Sequence, residues 1–198
     1  MSETNIIKTH LSFLVSSAKG GCLSTSILNF ILLNENVSGY CEEDNIPHNG
    51  DCFFHAIIRL INYFQHGTKN LEKQICYQQT EAMKLNIANH INSLPIENDF
   101  LSDIYKDIES RCRQVYRGRK LPPIEYGQVL VKLVEDLYHY EIKILLLNQK
   151  HDGLVRFEGV SDNISQSGNN PVIGLVLCQD DNDKDGKYYP IFPIVKVT

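Results

Sequence analysis

Asn49-Gly50-Asp51-Cys52-Phe53-Phe54-His55-Ala56-Ile57 is the stretch on which the reading of this chain turns. Asn-Gly-Asp is turn chemistry, since each of these residues accepts backbone conformations that helices and strands exclude. Behind it, apolar residues recur at 53, 56, 57, 60, 61 and 64, the spacing of one helical face, and Gly67 is a stop signal. The spacing therefore predicts a helix over Cys52 to Gln65 with the cysteine in its first turn. A helix N-terminus offers unpaired N–H groups and the positive end of the helix dipole, which favour a thiolate. The same N–H groups can receive the oxyanion of a tetrahedral intermediate, and Gly50 lets a substrate backbone come close. The reading places Cys52 at the rim of a groove, with the N–H groups of residues 50–52 turned toward it and a thiol pKa near 8.5 or below. The alternative is an inert, buried cysteine at a helix start.

Outward from this stretch, helical periodicity predicts a first helix through Ile6, Ile7, Leu11, Leu14 and Val15, although Thr9 to Val15 can equally be written as a strand. Gly20-Gly21 breaks it, and further helices are expected over Ser26–Leu33, Leu71–Leu94, Asp99–Val115 and Val129–Tyr138. Ile142 to Leu147 reads as a buried strand, and Val172–Cys178 and Tyr188–Val197 as two more, separated by Gly- and Asn-rich loops. Helices come first and strands gather late, which points to an α/β or α+β sandwich around a small mixed sheet.

With 198 residues and no internal repeat or linker, the chain suits a single domain, 1–198. A net charge of -5 opposes general nucleic-acid or anionic-membrane binding, both of which favour a basic surface. The longest apolar run, Ile27 to Leu33, is too short to span a bilayer. Cysteines stand at 22, 41, 52, 76, 112 and 178, and no two form a CxxC pair, so neither a structural zinc site nor a cofactor is expected. The N-terminus carries no basic region followed by an apolar stretch, so the thiols are expected to be reduced, in a cytosol. A secreted effector working inside another cell would look the same.

Asn or Asp, Gly, a polar residue, Cys, an apolar-aromatic pair, His or Arg, Ala and Ile is a pattern that resembles the active-site signature of the ovarian-tumour (OTU) family of ubiquitin-cleaving cysteine proteases. Ile124-Glu125-Tyr126-Gly127-Gln128, the helix to Tyr138, the strand Ile142–Asn148 and Gly186-Lys187-Tyr188-Tyr189-Pro190-Ile191 extend the resemblance over about residues 40–198. It implies a papain-type layered fold, with a small twisted central sheet flanked by helices, residues 41–198 as the core and 1–40 as a helical extension packed on it. It also implies a monomer whose partner is ubiquitin or a ubiquitin-like protein, with no nucleic acid or membrane involved. Cys52 becomes the nucleophile, Gly50 and Asp51 supply backbone to the oxyanion site, and Asn49, where the family commonly has Asp, joins the catalytic set. His55 receives no catalytic role.

A cysteine hydrolase of this kind needs an imidazole to take the thiol proton and return one to the leaving amine. The family draws it from the last strand, where this chain has Lys187 or Tyr188, and no histidine follows His151. Three readings follow: a degenerate domain that engages ubiquitin-type partners with weak or lost catalysis; an active isopeptidase whose base is His10 or His48; and an interaction module for an unrelated partner.

Three other motifs are weaker. Ala18-Lys19-Gly20-Gly21-Cys22-Leu23-Ser24-Thr25 lacks the lysine of a phosphate loop, and Asp181 to Gly186 matches only the first half of a calcium loop. That acidic segment is expected as a solvated loop. Arg111, Arg113, Arg117, Arg119 and Lys120 form a basic cluster expected at a solvated helix end or protein-contact surface.

Overall fold

The computed structural model describes residues 13–14, 25–34, 37, 39–42, 49–95, 99–119, 121, 127–149, 154–160, 171–180 and 183–193. In chain order these form β1 (Phe13–Leu14), α1 (Thr25–Asn34), α2 (Cys52–His66), α3 (Lys73–Ser93), α4 (Asp99–Cys112), α5 (Gly127–Tyr138), β2 (Glu141–Gln149), β3 (Leu154–Val160), β4 (Val172–Asp180) and β5 (Asp183–Ile191). The chain is a mixed helix-and-strand protein, as its periodicities predict.

The strands form one sheet in the order β1-β3-β2-β4-β5. β2 and β4 run parallel at its centre; β3 lies antiparallel on β2, β5 antiparallel on β4, and β1 antiparallel on β3. Phe13–Leu14 is thus strand, not part of a first helix, and β3 is a strand the periodicity did not predict. The acidic segment differs too: Asp183 to Gly186 carries strand backbone in β5.

Strand side chains alternate between faces, and the core divides accordingly. Ile142 and Ile144 of β2 and Ile173, Leu175 and Leu177 of β4 belong to a cluster with α2, α3, α4 and α5. Leu145, Leu147, Val176, Cys178, Tyr189 and Ile191 form the other, with Leu28, Ile31 and Leu32 of α1. α2 lies on β4 and β5, α5 on β2, and α3 stacks on both α2 and α4. Among the described residues no helix is long and apolar enough to cross a membrane.

Candidate active site

α2 begins at Cys52, as its sequence predicts, and ends at Gly67, whose φ of 68° lets its N–H reach the Tyr63 carbonyl at 2.8 Å. Asp51 occupies the N-cap position but makes no side-chain cap. Its carboxylate is spent elsewhere: Oδ1 accepts from Arg111 Nη2 at 2.9 Å and Oδ2 from Lys84 Nζ at 3.2 Å. Arg111 is therefore a buried partner of the turn, not a member of a solvated basic cluster. The cost of burying its charge is offset by the carboxylate and by the Gly50 carbonyl, which accepts from the same nitrogen at 3.0 Å.

The turn itself is tightly held. Gly50 has φ of 88°, and a Cβ there would lie 2.3 Å from the Leu121 carbonyl oxygen, so the position demands glycine. Asn49 accepts the Leu121 N–H on its carbonyl at 2.9 Å and the Asp51 N–H on Oδ1 at 3.0 Å. The Asn49 side-chain Nδ2 is buried with no partner among the described residues. The Asp51 N–H is taken by Asn49, so the expected row of N–H groups from residues 50–52 is broken at its middle. The backbone N–H groups that bear on the thiol are instead those of Phe53 and Tyr188.

Cys52 is 4% exposed, so the thiol lies beneath the surface instead of at an open rim. The start of β5 covers it: Sγ lies 3.8 Å from the Gly186 carbonyl, to which its S–H donates. Burial pushes the thiol pKa up, opposed by the N–H groups of Tyr188 and Phe53 and by the charge of Lys187. The dipole of α2 does not prevail over desolvation here, so the thiol sits above, not below, its ordinary range.

β5 is the strand from which the resemblance expects a histidine, and its register decides between the two candidates. Tyr188 pairs with Leu177, a residue of the α2-side cluster, and its ring meets Phe53 edge-on at 5.1 Å. Lys187 pairs with Cys178 of the opposite cluster and places Nζ 4.9 Å over the ring of Tyr189. Tyr188 is therefore the side chain on the Cys52 face. Burial first, and the nearby Cys52 second, push the Tyr188 phenol well above its usual range. A phenol held protonated at neutral pH is no general base.

The described histidines are 55, 66, 90 and 139, and none contacts Cys52. His55 turns to α3 instead: Nδ1 lies 3.1 Å from Thr80 Oγ1 and 3.4 Å from Cys76 Sγ, with Tyr77 edge-on at 4.8 Å. This Cys–His pair is not a catalytic dyad. Burial lowers the His55 pKa to about 4 and raises that of Cys76, so both groups are neutral near pH 7. His10 and His48 lie outside the described residues, as do Glu125 and Cys22. No cluster of His, Cys, Asp and Glu among the described residues could hold a metal. Cys52, Cys76 and Cys112 are free thiols.

No family model matches the chain, and no curated protein matches it.

Proposed function

We propose that the chain is an OTU-type, papain-like layered domain that engages ubiquitin or a ubiquitin-like partner and has weak or lost isopeptidase activity at Cys52. The observation that carries the second half is Tyr188, a protonated phenol on the sheet face that meets the nucleophile's helix. The first half is supported by a cysteine at the head of an apolar helix behind a constrained Asn-Gly-Asp turn, with an antiparallel terminal strand beside it. A cytosolic place of work, in the producing cell or after delivery into another, accords with the free thiols.

Attack on a ubiquitin amide would require the Cys52 proton to leave, Sγ to bond the carbonyl carbon, and the C–N bond to break as its nitrogen gains a proton. Without an imidazole, the thiol ionises only to solvent and the leaving amine has no donor. An electrophile fixed to ubiquitin's C-terminus needs the proton to leave and Sγ to bond the electrophilic carbon, but no proton for a leaving amine. The unaltered protein is expected to bind ubiquitin, to label slowly at Cys52 at a rate that rises with pH through the alkaline range, and to leave ubiquitin chains uncut. Tyr188→His is expected to raise labelling at neutral pH by about tenfold or more. Fast chain cleavage by the unaltered protein, abolished by Cys52→Ala, would sink this reading in favour of an active enzyme with its base at His10 or His48. Neither binding nor labelling would leave the interaction module.

A further inference from the structure

Lys84 of α3 and Arg111 of α4 are buried cations that no step above uses, and both end on the residue before the nucleophile. Arg111 Nη2 bridges two acceptors of the turn, the Gly50 carbonyl at 3.0 Å and Asp51 Oδ1 at 2.9 Å. Lys84 Nζ donates to Asp51 Oδ2 at 3.2 Å, to the Gln114 carbonyl at 2.5 Å and to Glu81 Oε1 at 3.1 Å. The Gly50 carbonyl and the Asp51 N–H belong to one planar peptide and point in opposite directions. Arg111 holds the first, and Asn49 Oδ1 holds the second at 3.0 Å. The peptide is thus clamped at both ends and cannot rotate without breaking a buried bond. Its rotation is the motion that would turn the helix head, and the Cys52 thiol with it.

We propose that Lys84 and Arg111 are positioning residues for Cys52, acting through Asp51, which they both orient and neutralise. The inference rests on Cys52 being the reactive thiol of the proposed function. A tie between helices needs no carboxylate beside a nucleophile, and an unopposed Asp51 would oppose the thiolate, since its charge raises the Cys52 pKa. Two cations on one carboxylate oppose that penalty while keeping the anchor.

Other titratable and charged groups also face this corner. From β5, Tyr188 lies near the thiol and the charge of Lys187 lowers its pKa, and Glu81 shares Lys84. Behind Asp51 stand His55, neutral above about pH 4, and the Cys112 thiol of α4, protonated up to about 12. Tyr77 of α3 also feels Asp51, and burial raises its pKa.

The test is the pH profile of Cys52 alkylation by iodoacetamide in the full chain, read on the Cys52 peptide by mass spectrometry, with thermal unfolding measured in parallel. Asp51→Asn removes a charge that raises the thiol pKa and keeps both cations in the corner, and its midpoint is expected to fall by about one pH unit. Lys84→Met leaves Asp51 half-compensated, and its midpoint is expected to rise by a similar amount, with Lys84→Arg restoring most of the shift. Midpoints that stay together, or that move in the same direction, overturn the proposal and leave the cluster a tie between helices. If Lys84→Met does not unfold cooperatively, Asp51→Asn against Arg111→Met carries the same contrast, because Arg111→Met also leaves Asp51 with a single cation. The readout uses no ubiquitin, so failure of the ubiquitin reading appears separately, as absence of labelling by the ubiquitin electrophile in the unaltered protein.

Discussion

His55 sits three residues after Cys52 on the same helix, and its ring is buried against α3 and held neutral. The sign of its effect on stability follows. Folded, it titrates near 4; unfolded, near 6.5, so between these values the unfolded chain takes up a proton the folded one refuses. Stability should be fully present above pH 6.5 and decline as pH falls toward 4, by on the order of 2 kcal/mol between 6.5 and 5. Urea unfolding at a series of pH values checks this. His55→Leu should remove that part of the slope, and an unchanged slope in the variant would assign it to other groups. Residue identity alone did not reveal this role, since a histidine in a helix reads the same whether it faces solvent or Thr80.

Among the elements, α1 shows how a short helix is secured to a sheet it does not pair with. Asn29 acts as a backbone mimic: Oδ1 accepts the Cys41 N–H at 2.6 Å, and Nδ2 donates to the Cys41 carbonyl at 2.8 Å. One residue earlier, Tyr40 exchanges both backbone bonds with Phe192, just past β5, at 3.0 and 2.9 Å. Lys69 then joins this corner, bonding the Tyr40 hydroxyl and pairing with Glu42. Asn29→Ala should therefore cost about 1–3 kcal/mol, well above an exposed helix substitution, and denaturant midpoints would show it. A change within about 0.5 kcal/mol would mean that water replaces the amide at no cost. α1 was readable as a helix over Ser26–Leu33 because its apolar residues recur at the right period. The Asn29 bridge was not, because its partner segment has no periodicity of its own. β3 escaped for a related reason: Leu154-Val155-Arg156-Phe157-Glu158-Gly159-Val160 alternates imperfectly and contains glycine, and it becomes a strand by pairing with β2.

At the scale of the molecule, the two apolar clusters lie on opposite faces of the same strands, so neither can be lost without disturbing the other. Leu28→Ala in α1 and Ile57→Ala in α2, both fully buried, should each cost about 2–5 kcal/mol. Each variant should still unfold in one transition, seen alike by circular dichroism and by tyrosine fluorescence. Two separated transitions in Leu28→Ala would instead make the α1 face an independent unit. What the sequence by itself determined was local. Apolar spacing of 3.6 residues placed α1 to α5, continuous apolar runs placed β2 and β4, and the Asn-Gly-Asp turn put Cys52 at the head of α2. Tertiary structure alone decided that Arg111 turns inward to Asp51, that Gly186 closes over the thiol, and that Tyr188 lies on the face of Cys52 while Lys187 does not. The reason is physical. Strand alternation makes neighbours face opposite ways, but which of two neighbours faces the core depends on register with the partner strand, and a one-residue slip exchanges them.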